Sequence, residues 1–168
     1  DRLVEGLAEN LRKMYGDDIA ASPYYPRMVT RDAAERVAGL MKAGRVILGG
    51  AVDLERKYIE PTVIEGVSPD DDVMQQEIFG PVLPLIEFDD IGEVTDFRNG
   101  REKPLALYYF GGRSGARRVL RDTTSGGACI NDVVMHIAGP KLPFGGVGAS
   151  GMGRYHGFDS FKVFSNQR

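Results

Sequence analysis

The chain has 168 residues, 42% hydrophobic and 27% charged, with 24 acidic against 21 basic side chains. This suits one soluble globular domain able to bury a core, and the slight acidic excess, without a long basic run, argues against nucleic acid or an anionic membrane as partner. A single cysteine, Cys129, excludes an internal disulfide and fits a reducing compartment.

No apolar run is long enough to span a bilayer and the first residues do not form a signal peptide, so membrane association is not expected for this segment and the expected location is cytoplasmic. The sequence opens on Asp1, directly in helical periodicity, which reads as a piece of a longer or processed chain. Leu3, Leu7, Leu11 and Met14 fall at helical spacing, Gly16 supplies a stop, and the stripe is expected to be core. Ser22-Pro23-Tyr24-Tyr25-Pro26 reads as a loop. Residues 31–42 form a second predicted helix, capped by Thr30, buried through Val37, Leu40 and Met41, and ended by Gly44. Residues 45–48 read as a strand closed by Gly49-Gly50. Residues 58–64 are extended but interrupted by Pro61, which favours an edge or bent strand. Asp70-Asp71-Asp72 reads as a solvated turn or helix start; three adjacent side chains point in different directions and make a poor metal site.

From residue 82 the pattern becomes regular. Residues 82–88, 105–110 and 127–130 read as strands. Between them lie helices, one with Ile91, Val94 and Phe97 inward and Gly100 at its end, the next capped by Ser114 with Val119 and Leu120 inward. Alternating strands and helices predict right-handed crossovers and a parallel sheet, whose binding groups gather at the carboxyl ends of strands. Asn131, Asp132 and His136 reach that edge. Residues 160–165 read as a terminal extended arm able to pair with another sheet or subunit.

Two stretches carry chemistry. In Glu77-Ile78-Phe79-Gly80-Pro81-Val82, a carboxylate and a ring two residues apart share a face on extended backbone. The carboxylate can accept hydrogen bonds from a vicinal diol such as a ribose, and the ring can pack on a flat heterocycle; the alternative is a solvent glutamate and a core phenylalanine. The run Leu142-Pro143-Phe144-Gly145-Gly146-Val147-Gly148-Ala149-Ser150-Gly151-Met152-Gly153 has no regular period, and Phe144 is the side chain placed to line something. Gly146 to Gly151 match G-x-G-x-x-G, but a preceding strand and a following helix are not indicated, so an irregular loop is expected instead of a dinucleotide fingerprint. Cys129 reads as an apolar filler in a buried strand, His136 as either a substrate contact or a structural histidine, and His156 as structural. The two histidines and one cysteine show no zinc spacing, and neither Ser125 nor Ser150 sits in a nucleophile elbow.

Taken in order, the segments Gln76 to Val82, Asn131-Asp132-Val133-Val134-Met135-His136 and Leu142 to Gly153 resemble the carboxy-terminal part of an aldehyde dehydrogenase, from end to end of the chain. Arg101-Glu102-Lys103-Pro104-Leu105-Ala106-Leu107-Tyr108 and Tyr155-His156-Gly157 resemble most the class 3 branch, which includes the fatty-aldehyde enzymes. The resemblance implies an α/β fold, the carboxy-terminal portion only of a three-layer parallel-sheet catalytic domain. Residues 1–157 would be its second half and residues 158–168 a terminal oligomerisation arm.

The resemblance also implies NAD- or NADP-dependent oxidation of an aldehyde to a carboxylic acid, through a cysteine thiohemiacetal and thioester, in a homodimer without metal. By that likeness Glu77 would hold the nicotinamide ribose hydroxyls and Phe79 would pack beside the nicotinamide. Asn131 would support the active-site wall, with His136 and Phe144 near the substrate tunnel. The nucleophilic cysteine, the glutamate base and the Rossmann half would lie upstream of residue 1. Cys129 does not occupy the nucleophile's place, so the chain alone is expected to be inactive. The competing reading is a non-catalytic binding or assembly module derived from the same fold.

Overall fold

The computed structural model describes residues 2–166, and the chain divides into two compact units, Asp1–Glu87 and Phe88–Arg168. The first opens with helix α1, Arg2–Tyr15, ended by Gly16, whose φ of +86° places it in the left-handed region and whose N–H donates to the Arg12 carbonyl at 2.8 Å. Its leucine stripe is not core, contrary to expectation. No α1 residue is buried, Leu3 and Met14 are exposed, and Leu7 and Leu11 only line an apolar cleft of about 260 Å³ with Leu48, Val63 and Leu83. Leucines at helical spacing give the helix a sticky side, but burial requires a partner surface that closes over it.

Helix α2, Arg31–Leu40, starts where Thr30 turns extended and its Oγ1 accepts from the Ala33 N–H at 3.1 Å. A 3₁₀ turn, Met41–Ala43, follows and Gly44 ends it. Thr30→Ala is expected to lower the unfolding free energy by about 1 kcal/mol in urea titrations, the usual worth of such a cap; an unchanged midpoint would contradict the capping role.

Five strands follow: β1 Arg45–Leu48, β2 Val52–Asp53, β3 Tyr58–Ile59, β4 Thr62–Glu65 and β5 Val82–Leu85. The sheet runs β1-β4-β5, antiparallel between β1 and β4 and parallel between β4 and β5, while β2 and β3 form their own antiparallel pair. Pro61 does not make an edge strand. Lacking an N–H, it divides the extended run, so that β3 and β4 enter different sheets and β4 is the central strand of its own, with Thr62, Val63 and Ile64 buried. Asp71 stands just before the short helix α3, Asp72–Gln75, without a side-chain capping bond, its Oδ2 instead accepting from the Ser68 N–H at 2.6 Å; the acidic triplet is a helix start. Among the described residues no group of histidine, cysteine and acidic side chains could hold a metal ion. The core of this unit joins Ala34, Val37, Leu40 and Met41 to Ile59, Ile64, Val73 and Val82.

The second unit contains α4 Ile91–Asn99, β6 Ala106–Tyr109, α5 Arg113–Asp122, β7 Gly127–Ile130, α6 Met135–Ala138 and α7 Gly157–Val163. Asp90 caps α4, accepting from the Gly92 N–H at 2.6 Å, and Gly100 closes it. β6 and β7 pair in parallel, from Ala106 opposite Gly127 to Tyr109 opposite Ile130, with α5 as their crossover. Of the three predicted strands, β5 pairs with β4 in the first unit and β6 with β7 in the second. Ser114 lies inside α5, whose cap position is Gly112. The buried side of α5 is Ala116 and Val119; Leu120, about 100° further round, is 47% exposed.

Up to Val163 the terminal arm is helical, not extended, and its last two residues, 167 and 168, lie outside the described residues. Phe158 and Phe161 stack at 5.8 Å as i,i+3 neighbours, Lys162 lies 3.7 Å from Asp159 and 4.8 Å from the Phe158 ring, and the Ser160 hydroxyl accepts from the His156 N–H at 2.8 Å. Those local pairs suit a helix, whereas the alternation of Phe161 with Val163 by itself suits a strand equally well. No helix among the described residues is long and apolar enough to cross a membrane.

Candidate functional site

In the first unit the chain runs from α3 into β5 through Gln76-Glu77-Ile78-Phe79-Gly80-Pro81. Ile78 is half-buried against the core, while Glu77 and Phe79 on either side of it are exposed. Burial thus alternates along the stretch, although left-handed Phe79 departs from the extended backbone on which carboxylate and ring would share a face. Within the described residues Phe79 is 75% exposed and takes no part in the core. Its φ is +48°, a region that a bulky residue adopts only under constraint from its surroundings. Constraint is visible on both sides. Arg36 of α2 donates through Nη1 to Gln76 Oε1 at 2.9 Å and to the Glu77 carbonyl at 3.4 Å, and through Nη2 to the Ile78 carbonyl at 2.7 Å. At Gly80 a Cβ would sit 2.8 Å from Val37 Cγ1, so only glycine lets the loop rest on α2 here. Beyond it the Pro81 carbonyl accepts from the Thr62 N–H at 2.8 Å and leads into β5.

In the second unit the carboxyl ends of β6 and β7 carry the other candidates. Asn131 follows β7 with φ +56°, a conformation asparagine tolerates better than most residues. Its N–H donates to the Tyr109 carbonyl at 2.7 Å. Its side chain closes a two-way clasp on Gly111, accepting from that N–H at 2.8 Å and donating to that carbonyl at 3.2 Å. Asn131 thus ties the β6–α5 turn to the end of β7. Val134, a β-branched residue, is also left-handed at φ +64°.

His136 folds back over β7. Its N–H donates to Cys129 Sγ at 3.3 Å and its Nδ1 lies 3.4 Å from the same sulfur, while Nε2 is buried without a hydrogen-bond partner among the described residues. The small residues of β7 make this possible: a Cβ at Gly127 would come 2.5 Å from the His136 ring. Cys129 is buried, as a strand filler should be, and it also anchors His136. Phe144 packs 5.9 Å from His136 and 5.9 Å from His156, with Tyr155 edge-on at 5.8 Å. Its backbone exchanges hydrogen bonds of 2.8 and 2.9 Å with Tyr155. The glycine run between those two residues is irregular. Its one regular piece is a 3₁₀ turn, Gly148–Ser150, in which the Ser150 hydroxyl accepts from the Val147 N–H at 2.9 Å and donates to the Val147 carbonyl at 3.0 Å. That is not the strand-turn-helix context a dinucleotide fingerprint needs.

The structure thus brings Glu77 and Phe79 together on one loop of the first unit, and His136 and Phe144 together in one ring cluster of the second. It directs the Asn131 side chain to Gly111 instead of to that cluster. Sequence reasoning missed Arg36, which reads only as a polar residue on α2, and it missed the contact between Cys129 and His136. Neither leaves a local signal, because each partner is chosen by the folded chain.

A family model described as "Aldehyde dehydrogenase family" matches residues 1–168. The chain is 50% identical to aldehyde dehydrogenase family 3 member B1 of Rattus norvegicus, over all of this chain and 36% of that protein. The substrate-bound state of Staphylococcus aureus AldH superposes with a TM-score of 0.92 at 44% identity, over 98% of this chain and 36% of that one. The C302A mutant of P. syringae AldA indole-3-acetaldehyde dehydrogenase, in complex with NAD+ and IAA, matches at 0.70 and 28% identity, over 82% of this chain and 29% of its own. The chain spans about 36% of the length of such relatives. Its mixed α/β architecture, its parallel strand pairs and the end-to-end match agree with the motif order read above: the chain belongs to the aldehyde dehydrogenase family.

Proposed function

We propose that this chain is the carboxy-terminal portion of an NAD(P)-dependent enzyme that oxidises an aldehyde to a carboxylic acid, and that Glu77 and Phe79 form its half of the nicotinamide clamp. The observation that carries this is an exposed aromatic ring held at φ +48° beside an exposed carboxylate, on a loop braced from behind by α2. Strained backbone at a solvent-facing ring serves no packing purpose, and strain of that kind concentrates at ligand clamps.

The residues fit the group: the carboxylate offers acceptors to a vicinal diol and the ring a flat apolar face. When bound, NAD(P)+ supplies the hydride acceptor. This chain's part is to hold and orient, Glu77 on the ribose hydroxyls and Phe79 beside the nicotinamide; in the second unit Asn131 ties the β6–α5 turn to the end of β7. The nucleophilic cysteine and the glutamate base of the family's reaction are not assigned to any residue here, and Cys129 is buried within β7. On this reading the 168 residues alone do not turn over an aldehyde, and an assay of them with aldehyde and NAD+ that showed turnover would refute it. Homodimer formation belongs to the same reading and is supported by Phe158, Phe161, Val163 and Phe164, all exposed on or just after α7.

The test is Glu77→Gln in the natural gene product that carries these residues. Hydrogen bonds to a charged group are worth about 1.5–3 kcal/mol, so the cofactor should bind at least roughly tenfold more weakly, with aldehyde KM little changed. Unaltered cofactor affinity would remove Glu77 from the clamp.

A further inference from the structure

We infer that Arg36 is the positioning residue of this clamp, fixing the Glu77–Phe79 loop through its main chain; the inference rests on the clamp assigned above. The guanidinium meets three acceptors on consecutive residues: Gln76 Oε1 at 2.9 Å, the Glu77 carbonyl at 3.4 Å and the Ile78 carbonyl at 2.7 Å. Two of those are main-chain carbonyls, so the interaction sets the path of the backbone on which the Glu77 carboxylate and the Phe79 ring are mounted. The next residue of α2, Val37, is fully buried and abuts Gly80 at the far end of the same loop. One turn of α2 therefore grips the loop at both ends, and left-handed Phe79 lies between the grips.

Arg36 is itself exposed and contributes little to the core, so its value lies in where it holds the loop. A planar fork with fixed donor directions can bind carbonyls on neighbouring residues at once; an ammonium on a flexible stem is a single point and holds fewer of them. A support of this kind acts on ligand binding by cutting the ordering that binding would otherwise require.

The experiment is an NAD+ titration, by calorimetry, of the natural gene product and of its Arg36→Met, Arg36→Lys, Glu77→Gln and Arg36→Met/Glu77→Gln variants, with the Tm of each. Arg36→Met should raise the Kd for NAD+ by roughly tenfold while Tm stays close to that of the parent. Arg36→Lys should recover part of the loss. The double variant should lose less than the sum of the two single losses, because part of what Arg36 contributes acts through Glu77. If Glu77→Gln weakens binding and Arg36→Met does not, the clamp stands and the positioning role is overturned. Equal and independent losses that add in the double variant, or a loss that tracks a fall in Tm with no recovery by lysine, overturn it too. If Glu77→Gln binds like the parent, the clamp fails and Arg36 loses this role with it.

Discussion

Alanine at Gly126 is expected to dislodge the glycine-rich segment and cost about 3 kcal/mol of stability, the upper range for forcing atoms into packed space. Gly126 sits where β7 begins, and its N–H donates to the Pro104 carbonyl at 2.9 Å. A Cβ there would lie 2.6 Å from the Leu105 carbonyl oxygen and 3.0 Å from Gly146 Cα, and it would strike the Gly145 carbonyl oxygen as well. Every one of these atoms is main chain, so no rotamer change relieves the clash. Either the start of β6 or the strip following Phe144 has to move. Urea unfolding should show a lower midpoint with similar m, and near-ultraviolet circular dichroism should report loosening of the ring cluster around Phe144. Gly6→Ala on α1 is the control: nothing lies within 4 Å of the added methyl, so stability should hold or rise by up to about 1 kcal/mol. A Gly126→Ala protein as stable as its parent would mean that these segments do not meet as described.

Ile64→Ala should be comparably damaging for a different reason. Ile64 lies on central strand β4 with no exposed surface, in the cluster with Val37, Ile59 and Val82. Truncation removes transfer free energy and leaves a cavity that strands paired on both sides cannot easily close, so about 2–5 kcal/mol is expected. Ile64→Val should cost only about 1 kcal/mol. Equilibrium unfolding of the two variants separates cavity formation from a general sensitivity of the strand: equal losses would contradict the cavity argument.

Period and punctuation were enough for α1, α2, α4 and the strands at residues 45–48 and 127–130, because capping residues and terminal glycines act within a few positions of the backbone they control. Thr30, Asp90 and Gly16 are examples whose bonds span no more than four residues. What escaped is what depends on distant partners. Pro61 could be seen to break a strand, but not that the second half would become the middle of a sheet. The alternation at residues 160–165 was compatible with two structures, and side-chain pairs along α7 decide between them. Leucines of α1 could be aligned, but not the absence of a surface that seals them. At the candidate site residue types and spacing singled out Glu77 and Phe79 but left a core phenylalanine open; the exposure of the ring is a property of the folded chain. The brace was not readable, since Arg36 and Ile78 are 42 positions apart.

That separation bears on how the sequence can drift. A phenylalanine seldom visits left-handed backbone when left to itself, so the attitude of this ring is imposed by a helix formed from a remote stretch of the chain. A substitution near residue 36 that shortens the reach of the side chain there would leave Phe79 chemically intact and wrongly aimed. Changes in the two stretches are therefore expected to be coupled, and a chimera that exchanges one without the other would hold the angle of the ring less firmly.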